Sequence, residues 1–247
     1  MNHFLSTKKL KQISRGQLIG KYKITVLSYL IAYMFSYLIL YFATSDANTT
    51  TLETLLNYAI NFIVTLIGGI FTFGQCHLYL RISREDNCSI DDLWYGFKNF
   101  PDKAIGIQFV FSITELLCSI PLNVTYSLFA TTKNVSYAIP LAVCLILYAV
   151  ITIMVNLIFF QAFYLLNDHP DWKVSDLLKE SSRLMKGHKF RLFYTHLSFC
   201  GVMLLGIISL GFGLFWVVCY NQMVSANFYE NLNGNLKTEP TSINVTI

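Results

Sequence analysis

Long apolar runs separated by short polar islands dominate this chain. The runs extend from about Tyr22 to Ala43, Leu55 to Leu80, Ala104 to Leu122 and Tyr137 to Leu166. Each has about 20 residues or more, the length that a helix needs to cross a hydrocarbon core of about 30 Å. The last block, from about Phe190 to Tyr229, would form a helix of ~60 Å, roughly twice that thickness. Gly206, Gly211 and Gly213 lie near its middle, where a break is expected, giving six spans.

Between the runs the period shortens to that of amphipathic helices. Val174, Leu177, Leu178, Leu184 and Met185 share one face, while Lys179, Glu180, Ser182, Arg183 and Lys186 fall elsewhere. Ser175 is placed to cap this helix. Asp176 and Glu180 suit its positive end, Lys186 and His188 its negative end, and Gly187 can close it in a left-handed conformation. Ile90-Asp91-Asp92-Leu93-Trp94 matches Val174-Ser175-Asp176-Leu177-Leu178, and a looser stripe of Leu10, Ile13 and Leu18 predicts a third helix from about Phe4 to Ile19.

These helices belong to a repeat. Leu10-Lys11-Gln12-Ile13-Ser14-Arg15, leading to Lys21-Tyr22-Lys23-Ile24, matches Leu178-Lys179-Glu180-Ser181-Ser182-Arg183, leading to Lys189-Phe190-Arg191-Leu192. In an ungapped register the leucine, lysine, serine, arginine and later lysine coincide. The predicted fold is an all-α membrane domain over residues 1-230, with about six transmembrane helices in three hairpin units. The units cover about 1-80, 81-166 and 167-230, each opening with a cytoplasmic amphipathic helix. Residues 231-247 are polar and aperiodic, and are expected to be a disordered tail.

Composition agrees with a lipid environment. The chain is 54% hydrophobic and 13% charged, with a mean hydropathy of +0.50, against roughly 25% charged residues in soluble domains. Lysine and arginine concentrate before the first run, between the second and third, and between the fourth and fifth, whereas the alternate loops hold only Lys133. That asymmetry places both termini on the cytoplasmic side. Ala43-Thr44-Ser45 has a small-x-small look, but the run before it exceeds the 7–15 apolar residues of a secretory signal, so it is expected to stay as a span.

The six cysteines are scattered, with no Cys-x-x-Cys pair, so neither a disulfide framework nor a zinc site is expected. Neither a His-Glu-x-x-His helix, a Gly-x-Ser-x-Gly elbow, a phosphate loop nor a dinucleotide fingerprint occurs. The expectation is a non-enzymatic protein without a cofactor. Its basic islands follow the alternation of spans, which argues for anionic lipid headgroups at the cytoplasmic face and against nucleic acid. A protein partner or a second copy of the chain is the other expected contact.

Two sets of residues carry this reading. Ser182, Arg183, Lys186, Gly187, His188, Lys189 and Arg191 form the candidate interaction surface. Glu115, His196, Gln75 and Gln161 are the candidate intramembrane sites, with Gln75 and Gln161 in matching places in the repeat. A carboxylate inside a span is costly unless paired, protonated or wet, which makes Glu115 a site candidate. Pro121 follows closely and places it near the outer interface. Asn57, Asn61, His77, Gln108, Asn156, Asn221 and Gln222 are the further polar residues of the spans. Interhelical hydrogen bonds, about 0.6 kcal/mol each in membranes, account for such groups. A polar path for a small solute or ion is the alternative.

The stretch Leu178–Phe193, with its core Ser182-Arg183-x-Met185-Lys186-Gly187-His188-Lys189, resembles the signature of a bacterial family of integral membrane proteins, number 975 in the domain-of-unknown-function series. The likeness continues through Leu197-Ser198-Phe199 and Gly206–Trp216 to Ala226-Asn227-Phe228-Tyr229. Over the second unit Asp92-Leu93, Gly96-Phe97 and Lys98 look similar, and the first unit shares the basic start. The resemblance implies a multi-span protein of the cytoplasmic membrane of Gram-positive bacteria, and supplies no activity.

Overall fold

The computed structural model describes residues 4–43, 51–209 and 211–236, and all regular structure among them is helical. Helix α1 (Thr7–Leu18) begins at Ser6, whose Oγ accepts from the Lys9 amide. Gly20, at φ +80°, lets the chain turn by 94° into α2 (Tyr22–Ala43). Next come α3 (Thr51–Ser83), a 3-10 turn at Ile90–Trp94 running into the single turn of α4 (Tyr95–Lys98), and α5 (Pro101–Thr132). The chain continues as α6 (Ala138–Phe159), α7 (Gln161–Asp168), α8 (Val174–Leu184), α9 (Lys189–Leu197), α10 (Cys200–Ile208) and α11 (Phe212–Leu232).

Among the described residues four helical stretches are long and apolar enough to cross a membrane: Leu56–Ser83, Pro101–Thr132, Val135–Asp168 and Lys189–Ile208. The bent pair of α1 with Tyr22–Phe35 makes a fifth if it is taken as one span.

Several local expectations change. The apolar run to Leu122 does not end at Pro121, because α5 continues to Thr132. Proline removes one helical hydrogen bond, but the polar residues beyond it bond to their own helix. Thr125 Oγ1 donates to the Pro121 carbonyl at 2.8 Å, Thr131 to Ser127 at 2.7 Å and Thr132 to Leu128 at 2.6 Å. Glu115 therefore lies mid-helix, not near the end of a span. The second amphipathic helix is reduced to the 3-10 turn and α4. Helix α8 is preceded by Lys173 at its N-cap, without a side-chain cap, so Ser175 lies inside it. The break in the last block falls between α10, which ends at the C-cap Ser209, and α11, which opens at Gly211 with φ +83°, and a second break at Ser198–Phe199 separates α9 from α10.

Helix α3 lies at the centre, packed against α2, α5, α7 and α11. The main core gathers Phe73, Leu78, Tyr79 and Ile82 of α3, Phe163 and Leu166 of α7, and Met223 and Tyr229 of α11. These residues lie near the polar loops that carry the basic islands. At the other end α5 and α6 pair with each other and expose Leu117, Tyr126, Ile139 and Leu145. So large an exposed apolar surface suits contact with acyl chains.

Burial reveals the repeat more clearly than residue identity does. In α1 and the start of α2 the buried positions are Leu10, Ser14, Leu18, Thr25 and Ser28; in α8, its C-cap Met185 and α9 they are Leu177, Ser181, Met185, Leu192 and Thr195. Spacing is the same in both sets, and Gly20 and Gly187 fill the same left-handed turn. This register is displaced by one residue from the ungapped match of identities, so Ser14 corresponds to Ser181 and not to Ser182. In each unit the fourth residue after the N-cap is a leucine with no exposed surface: Leu10, Leu93 and Leu177. Burying such a side chain contributes about 2 kcal/mol, so three leucines anchor three segments against the bundle.

Candidate functional site

The α8–α9 corner presents the sequence-selected surface. Arg183 is exposed and grips Glu180 through two hydrogen bonds, Nε at 2.8 Å and Nη2 at 2.7 Å. The pair raises the Arg183 pKa above its ordinary value, by hydrogen bonding first and charge second. Lys186 and Gly187 are exposed, with Gly187 at φ +85° closing α8; Ser182 and Lys189 are half-buried. The ring of His188 meets Phe4 edge-on at 4.5 Å. Burial, then the charge of Arg191, lowers its pKa. Ser181, the neighbour that points inward, donates to the Ile158 carbonyl at 2.6 Å and ties α8 to α6.

Arg191 is a clasp. It donates to the Leu5 carbonyl at 2.7 Å and to Asn231 Oδ1 at 2.5 Å, and its guanidinium lies over the rings of Phe4 and Phe228. Asn231 Oδ1 also accepts from the Leu5 amide at 3.2 Å. One arginine thus joins the N-terminal segment, α9 and α11. Leu232 and Leu236 pack beside it against the cluster of Leu10, Met185 and Phe228, so residues 231–236 of the expected tail carry packing; 237–247 lie outside the described residues.

A buried polar network sits behind this corner. Asn227 Nδ2 donates to Ser14 Oγ and Gln17 Oε1, both at 2.7 Å, while Asn227 Oδ1 accepts from Ser83 Oγ at 2.6 Å. Gln17 Nε2 donates to the Ser83 carbonyl at 3.1 Å. Arg84 then bridges Asp168 at 2.8 Å and Glu230 at 2.7 Å, and Tyr229 Oη donates to Asp168 at 2.7 Å. Glu230 is buried, its side chain 2% exposed, with Arg84 as its counter-ion. Arg81 with Asp92, at 2.5 Å, and His77 with Asn167, at 2.7 Å, complete the polar contacts around the end of α3. Such satisfied networks favour one arrangement of the helices, because each broken bond strands a buried polar group.

The intramembrane candidates line three neighbouring cavities. Gln75 lines one of 510 Å³ with Tyr33, Asn61, Thr65 and Thr72, between α2, α3 and α5. Glu115, with an exposed side chain, borders one of 250 Å³ with Gln108, Thr114 and Asn156, between α3, α5 and α6. Gln161 and His196 share the third, of 560 Å³. Thr72 and Gln108 border both the first and second, and Thr152, Asn156 and Phe160 both the second and third. Gln75 and Gln161, in matching repeat positions, therefore enter different cavities, whereas Gln161 and His196, far apart in sequence, meet in one.

A family model described as a protein of unknown function, DUF975, matches residues 1–236. The chain belongs to this family. Comparison with curated proteins and with solved structures gives no match. The DUF975 match spans all three buried leucines, the Arg191 clasp and the Asn227 network. Sequence reasoning missed both the bonds of Asn227 to Ser14, Gln17 and Ser83 and the pairing of Arg84 with Glu230. The only signal was a run of polar residues late in an otherwise apolar stretch, and nothing in it named their partners.

Proposed function

We propose that this DUF975 protein is a non-enzymatic, polytopic protein of a bacterial cytoplasmic membrane, acting through lipid or protein contact at its basic end. Its six spans are α2, α3, α5, α6 with α7, α9 with α10, and α11, arranged as three hairpins with both termini inside. The observation that carries this reading is the crown of exposed cations on the packed end: Lys8, Lys9 and Arg15 of α1, Lys179 of α8 and Lys186 beyond it. Cations at the inner headgroup layer each gain about 1 kcal/mol from anionic lipid. The locked network beneath fixes their spacing.

Spin-labelled lipids in nanodiscs test the reading. The motionally restricted fraction is expected to be larger for phosphatidylglycerol than for phosphatidylcholine, and the difference is expected to shrink with salt and on replacing Lys8, Lys9 and Lys186 by glutamine. Equal fractions at low salt contradict it.

A second reading, a path for a small solute or ion, is favoured by one observation: Glu115 borders a cavity with Thr72, Gln108 and Thr114 in mid-span. It predicts that Glu115→Gln abolishes flux in proteoliposomes without loss of insertion.

A further inference from the structure

Helix α6 gives way to α7 at Phe160, and α9 gives way to α10 at Ser198–Phe199. The 560 Å³ cavity lies beside both breaks, closed at the back by α11. Its size falls within the roughly 300–1,000 Å³ of small-molecule pockets. Gln161, the first residue of α7, lines it, has no exposed surface, and has no hydrogen-bond partner at either Nε2 or Oε1. Thr152 Oγ1 is likewise buried and unpartnered on the same wall. A buried amide without partners costs about 1–3 kcal/mol, so the fold holds one donor and one acceptor ready for something that enters.

The opposite wall supplies more. Asn221 Oδ1 accepts from His196 Nδ1 at 2.8 Å, which leaves His196 Nε2 as an acceptor in the neutral ring. The residues lining the cavity include no lysine, arginine, aspartate or glutamate. A charged ligand would lose its hydration there without gaining a counter-ion. Asn156, Gln222 and Ser225 add neutral polar groups, and the remaining lining is apolar, with Leu157, Phe160, Leu192 and Met203 among it. Ile153, Phe193 and Leu197 line the cavity and are also 44%, 37% and 52% exposed on the outer surface between α6 and α9. In a bilayer that opening faces acyl chains.

We infer that this cavity binds a neutral amphiphile drawn sideways from the bilayer, with one acyl chain and a small uncharged head bearing hydroxyl or amide groups. The head bonds to Gln161 and Thr152 at the deep end, and the chain lies along Leu157, Leu192 and Met203 toward the opening. The inference is independent of headgroup contact at the basic end, since it needs no cation. It also accounts for a polar residue as long as glutamine at the break between α6 and α7.

A monoacylglycerol carrying a photoactivatable group in its chain tests this, added to purified protein in phosphatidylcholine nanodiscs, with labelled peptides mapped by mass spectrometry. Labelling is expected to saturate and to centre on Ile153, Leu197 and Met203. Unlabelled monooleoylglycerol should compete, whereas oleate and free glycerol should not. Gln161→Leu is expected to raise the half-saturating concentration about ten-fold, the equivalent of one lost hydrogen bond. If that variant fails to fold, Cys200→Trp, which fills the opening, is expected to remove the saturable labelling while the protein keeps its elution volume. Unsaturable labelling spread over Leu117 and Leu145 would overturn the inference, as would unchanged labelling in the variant that folds. Equal competition by oleate would overturn the neutral head, and by glycerol the bilayer source.

Discussion

Asn227 Nδ2 of α11 donates to Ser14 Oγ of α1 at 2.7 Å, across 213 positions of sequence. The same amide reaches Gln17 and Ser83, so one side chain ties the first and last helices to the central one. Asn227→Leu would strand the partner groups in a site without solvent. The expected loss is about 1–3 kcal/mol, read as a lower melting temperature in detergent. An unchanged melting temperature would show that the network contributes nothing.

Helix α3 and the loop after it touch through glycines. A Cβ on Gly74 would collide with the Leu93 carbonyl, and one on Gly96 with the Ile70 carbonyl, backbone atoms that cannot swing away. Overpacking of this kind costs about 1–3 kcal/mol. Gly74→Ala should therefore destabilise, whereas Gly16→Ala, which meets nothing within 4 Å, should be neutral or stabilising because alanine favours helix. Equal melting temperatures for the two variants would contradict the close approach.

Arg84 is the counter-ion of two carboxylates, 2.8 Å from Asp168 and 2.7 Å from Glu230. Arg84→Gln leaves Glu230, whose side chain is 2% exposed, without its cation. A buried polar group stranded in this way costs about 1–3 kcal/mol, read as a lower melting temperature in detergent. A wild-type melting temperature would exclude the bridge.

The Arg191 clasp predicts a local effect. In Arg191→Ala the N-terminal segment loses its bond from Arg191 to the Leu5 carbonyl and its ring contact with Phe4, and chymotrypsin should cut after Phe4 faster. Lysine should rescue poorly, since a compact ammonium cannot stack on Phe228 as a guanidinium does. A wild-type cleavage rate would rule the clasp out.

Much of the helical architecture was legible because apolar length and glycine position are local signals. Gly187 and Gly211 punctuate the chain where expected. The extension of α5 past Pro121 was hidden because threonine and serine read as loop residues until their hydroxyls are seen bonding back to the helix. Ser14 and Ser181 were hidden for a related reason: each satisfies its hydroxyl on a carbonyl, at Leu10 and Ile158, and can then be buried like a small apolar side chain. Pairings such as Arg84 with Glu230 depend on which helix ends meet, and one sequence does not state that. Gln161 and His196 were each visible as polar residues in apolar runs, and only the packing brings them to one cavity.

Two-sided labelling tests the central claim, that the basic end is the inner face of a membrane-spanning bundle. Lys186→Cys and Val135→Cys, each in a background with the six native cysteines replaced by alanine, would be exposed to a membrane-impermeant maleimide in intact cells and in inverted vesicles. Position 186 is predicted to react only in inverted vesicles and position 135 only in intact cells. Labelling of both positions from the same side would contradict the account.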